Sequence, residues 1–114
     1  MPTRTIRDIP SGTDVFIDAN VLIYGLVGQS VECKDLLERC SREEVFGLCL
    51  YEIANEATHR FMLAEAKAKG LISSENVREL RSKPQVVRNL TDYWRNTQRV
   101  LALNLLFFSW TFRY

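Results

Sequence analysis

The sequence predicts an α/β fold with a parallel sheet. Three observations carry that expectation. A short β-branched and aromatic run, Val15-Phe16-Ile17, is followed by a segment whose apolar residues recur at helical spacing. A second strand-like run, Val45–Leu50, is followed by a longer helical pattern. A third apolar run, Leu105–Phe112, comes after more helix, so strands and helices alternate as they do when parallel strands are joined by crossover helices.

Taken in order, Ser11-Gly12-Thr13-Asp14 is a turn cluster and Val15–Ile17 a buried strand, with Asp18 at or just past its end. Cys33, Leu36, Leu37 and Cys40 fall at i, i+3, i+4 and i+7, one stripe of a helix. Tyr51 to Lys69 is helical in pattern, and Gly70 is placed to stop it. Ser73 or Ser74 caps a further helix with Glu75 in its first turn; Pro84 ends that run and can begin the next. From Pro84 to Leu101 an apolar face is marked by Val87, Leu90, Trp94 and Leu101.

The 114 residues make a single domain, with 46% apolar and 25% charged residues, an ordinary soluble composition. A net charge of +1 gives no bulk argument for nucleic-acid binding. Arg4, Arg7, Lys67, Lys69 and Arg88 form no dense basic stripe and are as well read as solvated surface. No carboxylate follows Asp92, so acid-based chemistry must come from earlier in the chain. Cys33, Cys40 and Cys49 have neither metal nor redox spacing and are read as small core residues, which fits a reducing cytoplasm. Met1–Pro10 lacks the apolar stretch of a signal peptide, and Val100–Phe108 is too short to span a bilayer; no membrane association is expected.

Two places invite chemistry. Asp18 follows an apolar strand, and in open α/β sheets the carboxyl ends of strands are where ligands bind; capping the next segment is an equally good reading. Asn20 could hold that carboxylate or the turn. Glu52, Glu56 and His59 share one helical face, at i, i+4 and i+7, where a solvated polar stripe is the plainer reading. Glu52 and Glu56 repel slightly, a cost that a cation would relieve. Glu56-x-x-His59 also fits half of a di-iron bundle site, but the chain has one histidine, and such a site needs a second copy of the motif. Carboxylates without His or Cys partners favour Mg²⁺ or Mn²⁺, ions that activate water against phosphodiesters.

Val15-Phe16-Ile17-Asp18-Ala19-Asn20-Val21-Leu22-Ile23-Tyr24, followed by Gly47-Leu48-Cys49 and Glu56-Ala57-Thr58-His59-Arg60-Phe61-Met62, resembles the PIN domains, VapC-type toxin ribonucleases in particular. The resemblance extends over most of residues 14–108. It implies a three-layer α/β/α domain and a Mg²⁺- or Mn²⁺-dependent endoribonuclease that cleaves RNA, pairs with a cognate antitoxin and forms a homodimer. By matching positions, Asp18 and Glu56 would be metal ligands and catalytic acids, Asn20 would support Asp18, and His59 and Arg60 would lie near the site. A structural role is as good for the last two, with Arg60 pairing to Glu56. Where the family carries Ser or Thr after its second strand, this chain has Cys49 and Leu50. The family's later acidic helix-and-strand segment, with its third and often fourth Asp, has no counterpart here, so the expectation is a truncated domain with weak or absent catalysis and an unpaired sheet edge that favours association. The alternative is a non-catalytic PIN-derived module that binds an antitoxin or a partner subunit.

Overall fold

The computed structural model describes residues 6–73 and 77–109. Three strands, β1 (Asp14–Phe16), β2 (Phe46–Leu50) and β3 (Leu106–Phe108), form a parallel sheet in the order β1-β2-β3. Asp14, Val15 and Phe16 lie opposite Phe46, Gly47 and Leu48; Leu48, Cys49 and Leu50 lie opposite Leu106, Phe107 and Phe108. The expected parallel α/β arrangement is therefore present; β2 and β3 are shorter than the apolar runs that announce them, and β1 begins one residue before the expected Val15–Ile17 and leaves Ile17 outside the strand. Trp110 and Phe112, expected to extend the last strand, lie outside the described residues, as do Arg4, Ser74 and Glu75.

Among the described residues six α-helices accompany the sheet: α1 (Ala19–Leu26), α2 (Val31–Ser41), α3 (Tyr51–Ala68), α4 (Val77–Arg81), α5 (Pro84–Arg88) and α6 (Asp92–Leu101). Helix α2 is the stripe read from the cysteines. Ser30 caps it by accepting from the Cys33 N–H at 3.2 Å, and Cys33, Leu36, Leu37 and Cys40 are all buried. All three cysteines are buried and free. Burial raises the Cys40 thiol above its ordinary value and pushes that of Cys49 up to about 11, so both pack as neutral groups. Helix α3 ends as expected: Gly70 takes φ +71°, open to glycine without strain, and its N–H bonds to the Lys67 carbonyl at 3.0 Å.

The segment expected as one helix from Pro84 to Leu101 is two. Pro84 opens α5 as its first residue, the chain leaves helical geometry at Asn89–Thr91, and Asp92 begins α6, the helix that precedes β3. The interruption breaks the 3.6-residue period that linked the four apolar positions. Leu90 is buried and Val87 half-buried, but Trp94 and Leu101 are exposed. Helix α6 instead turns Val100, with Tyr93 and Thr97, inward. In α3 the apolar residues Ile53, Ala54, Ala57 and Ala64 are covered unevenly: Ala57 is buried, Ile53 and Ala54 are half-buried and Ala64 is exposed.

The buried side chains form two clusters. The larger joins Ile17, Leu22, Leu36, Leu37, Cys49, Phe61 and Val100 between the sheet and α1, α2, α3 and α6. The smaller gathers Leu63, Ala66, Ile72, Leu80 and Leu90 beneath α4 and α5, and Tyr93 packs against both. Gly47 lets α2 approach β2. A Cβ there would meet the side chain of Leu105 and sit 3.0 Å from Cys40 Sγ. Overpacking of this kind costs about 1–3 kcal/mol, against roughly 0.5–1 kcal/mol gained by replacing a strand glycine. Gly47→Ala is thus expected to lower stability by about 1–2 kcal/mol, read as a lower urea midpoint with unchanged slope.

The two faces of the sheet differ. Val15, Ile17, Gly47, Cys49 and Phe107 point to the helices, and Phe107 stacks on Tyr51 with ring centroids 5.9 Å apart. The alternate positions Phe16, Phe46, Leu48, Leu50, Leu106 and Phe108 belong to neither core cluster. Among the described residues the helices pack on one side of the sheet, whereas the resemblance leads one to expect layers on both.

Candidate functional site

Asp18 sits where the strand becomes a helix. The Ile17 N–H still bonds across the sheet to the Leu48 carbonyl at 2.8 Å, so Asp18 is the first residue beyond the ladder. It is the N-cap of α1: its backbone is extended, its carbonyl accepts from the Leu22 N–H at 3.2 Å, and its carboxylate accepts from the Ala19 N–H at 2.7 Å. The capping reading of this residue is therefore realised. The remaining carboxylate surface is exposed at the carboxyl end of the parallel sheet.

Glu56 reaches the same end of the sheet by another route. Strand β2 passes straight into α3, with Leu50 as N-cap and no intervening loop, so the first turns of α3 rise from the carboxyl end of the strand. Glu52, Glu56 and His59 are all exposed, as a solvated polar stripe requires. Glu52 accepts from the Ser109 hydroxyl at 2.9 Å, which links the start of α3 to the end of β3. That contact was not legible in the sequence, because the two residues lie 57 positions apart.

Asn20 and Arg60 meet each other. Arg60 Nη1 donates to Asn20 Oδ1 at 2.7 Å, tying the first turn of α1 to the middle of α3. The expected pairing of Arg60 with Glu56 gives way to this bond, and Asn20 faces Arg60 while Asp18 takes its hydrogen bond from Ala19. The physical reason lies in where α1 crosses α3: Arg60 lines the groove between these helices, beside Ile23, Tyr24 and Phe61.

The five residues do not line one cleft. Asp18 borders a cavity of about 190 Å³ with Phe16, Leu48, Leu50 and Ile53. Arg60 borders one of about 470 Å³ between α1 and α3. His59 borders a largely apolar one of about 240 Å³ with Met62, Leu80, Arg81 and Val87, towards α4 and α5. Among the described residues no three His, Cys, Asp or Glu side chains gather into a set that could hold a metal ion. Asp18 and Glu56 alone supply too few oxygens for a hard cation's shell, so water would have to provide most of it. The residues present fit Mg²⁺ or Mn²⁺ incompletely, and no metal-dependent step follows from them.

The strongest electrostatic arrangement lies elsewhere, at Glu65. This buried carboxylate accepts from the N–H groups of Thr91 and Tyr93, each at 2.8 Å, and from Lys69 Nζ one turn away. Burial by itself would raise its pKa, but the hydrogen bonds from Lys69 and from the backbone of Thr91, Tyr93 and Asp92 outweigh that and hold it at about 2. Glu65 is thus the cap of α6, supplied from another helix. Its signal in sequence was slight: one acid between two alanines, with a lysine four residues on.

Of the basic residues considered for RNA contact, Arg7 lies 3.5 Å from Asp35, and Lys69 is taken up by Glu65 and Asp92. No helix among the described residues is long and apolar enough to cross a membrane. The chain matches no family model, no curated protein and no solved structure.

Proposed function

We propose that the chain is a PIN-type domain of the VapC kind, a cytoplasmic RNA-directed module whose metal-dependent hydrolysis is weak or lost, since Asp18 and Glu56 gather no third acid among the described residues. The observation that carries the reading is the seat of Asp18 immediately beyond a parallel strand, at the end of the sheet where α/β folds bind ligands. Glu56, on the helix that rises from the neighbouring strand, is its partner in this reading. A Mg²⁺ or Mn²⁺ ion held there would neutralise phosphate charge and activate water. Asp18 and Glu56 would each offer it carboxylate oxygens, and the Asn20–Arg60 bond would fix α1 against α3 so that the two acids keep their spacing.

The test is Mn²⁺ titration monitored by paramagnetic line broadening, alongside cleavage of an unstructured single-stranded RNA. Weak Mn²⁺ broadening centred on Asp18 and Glu56, removed by Asp18→Asn, is the expected result, with little or no cleavage above background. Robust Mn²⁺-dependent cleavage that Asp18→Asn abolishes would overturn the inactive part of the reading. Broadening unrelated to either acid would remove the metal site itself.

A second reading, a non-catalytic module that binds an antitoxin or partner subunit, is favoured by the apolar face of the sheet that no described helix covers.

A further inference from the structure

We propose that the cavity between α3 and the α4–α5 pair binds a small amphipathic acid, its alkyl chain inside and its carboxylate at Arg81 and His59. The inference is independent of the metal reading of Asp18 and Glu56. The cavity, of about 240 Å³, is lined by residues of all three helices. Their burial gives it a direction. Leu63 and Leu80 are buried members of the smaller core, Met62 and Val87 are half-buried, and Val77, His59 and Arg81 are exposed. An apolar interior therefore opens at a mouth that carries both of its basic groups. Sites between packed helices are commonly built this way, apolar within and polar at a few fixed points.

Charge and size decide the occupant. No acid lines the cavity. Glu79 and Lys83, which flank Arg81 in sequence, lie 3.5 Å from each other, and Glu79 also accepts from the N–H and hydroxyl of Ser73. Arg81 is left without an anion among the described residues, and His59 enters no ion pair there. A guanidinium offers a carboxylate two parallel donors in one plane, and an imidazole adds at least one more. The interior sets the tail. A water-sized group, close to a methylene in bulk, takes about 30 Å³ of liquid volume, so a cavity of about 240 Å³ holds roughly eight such groups. That is the chain of a straight acid of about eight carbons, whereas drug-sized ligands need roughly 300 Å³ or more. A nucleobase would leave its edge donors and acceptors unpaired against the apolar wall, and an alkyl cation would meet Arg81 with like charge.

Methyl-detected NMR of the full chain, titrated with sodium octanoate, tests the proposal. The expected result is saturable shifts at the methyls of Met62, Leu63, Leu80 and Val87. Hexanoate should bind about 15-fold more weakly, because each buried methylene is worth roughly a factor of four, while decanoate should gain little, its added carbons having no room. Arg81→Gln, a change at an exposed position, should weaken octanoate about tenfold and leave octan-1-ol unaltered; octylamine should bind less well than the alcohol. Val87→Phe, which fills the cavity, should remove the octanoate shifts. Shifts that do not saturate, shifts centred on Phe16 and Leu106 of the sheet, or octanoate binding undiminished in Arg81→Gln would overturn the site, and so would undiminished binding by a folded Val87→Phe variant. Shifts of the same methyls that follow protein concentration with no acid added would give the cavity to another copy of the chain and overturn it equally.

Discussion

Replacing Phe61 by alanine is expected to remove about 4 kcal/mol of stability, the largest loss of any single change considered for this fold. Phe61 is buried at the centre of the larger core, on α3, where α1 and α6 converge. The truncation loses the transfer energy of the ring and leaves a cavity that helices from three directions cannot all close. A domain of this size has about 5–15 kcal/mol in total, so the variant should remain folded at low temperature but melt on the order of 15 °C earlier. Differential scanning calorimetry checks it. A loss below about 1 kcal/mol would mean that the core repacks around the gap.

The second large effect is at Glu65. Glu65→Ala removes the acceptor for two backbone N–H groups that have no other partner in α6 and leaves Lys69 without its nearest anion. Loss of a helix cap costs about 1–2 kcal/mol, and loss of charge-assisted hydrogen bonds brings the expected total to about 3 kcal/mol. Glu65→Gln should recover little, because the two N–H groups use different carboxylate oxygens and a glutamine keeps only one acceptor. The pH dependence has a definite sign. The folded pKa, about 2, lies below the ordinary value of 4.5, so the folded state holds this proton less tightly than the unfolded one. The stabilisation is complete above about pH 4.5 and is lost as pH falls from there towards 2. Acid unfolding of Glu65→Ala should lack that component. An acid limb identical to that of the unaltered protein would show that Glu65 does not carry it.

Much of the fold was legible because two signals were local. The Cys33–Cys40 stripe repeats over two turns without interruption, and its burial follows directly. Gly70 stops α3 because its left-handed φ needs no other residue to support it. The misreadings share a cause of the opposite kind. Trp94 and Leu101 look like a continuation of Val87 and Leu90 only if the helix is unbroken, and the break at Asn89–Thr91 is made by a carboxylate on α3 that draws in the N–H groups of Thr91 and Tyr93. No window of sequence contains both partners. The candidate site divides the same way. The place of Asp18 at the strand end is a local property and was readable, whereas the Asn20–Arg60 bond, 40 residues apart in sequence, depends on how two helices cross.

The strand order has a consequence for how the chain is made. In a β1-β2-β3 sheet every strand is laid beside the one synthesised before it, and none has to be threaded between two already in place. As the polypeptide emerges, the β1 segment is already present when β2 appears, and β2 when β3 appears, with the helices made in between. The three described strands can therefore pair in the order in which they are synthesised.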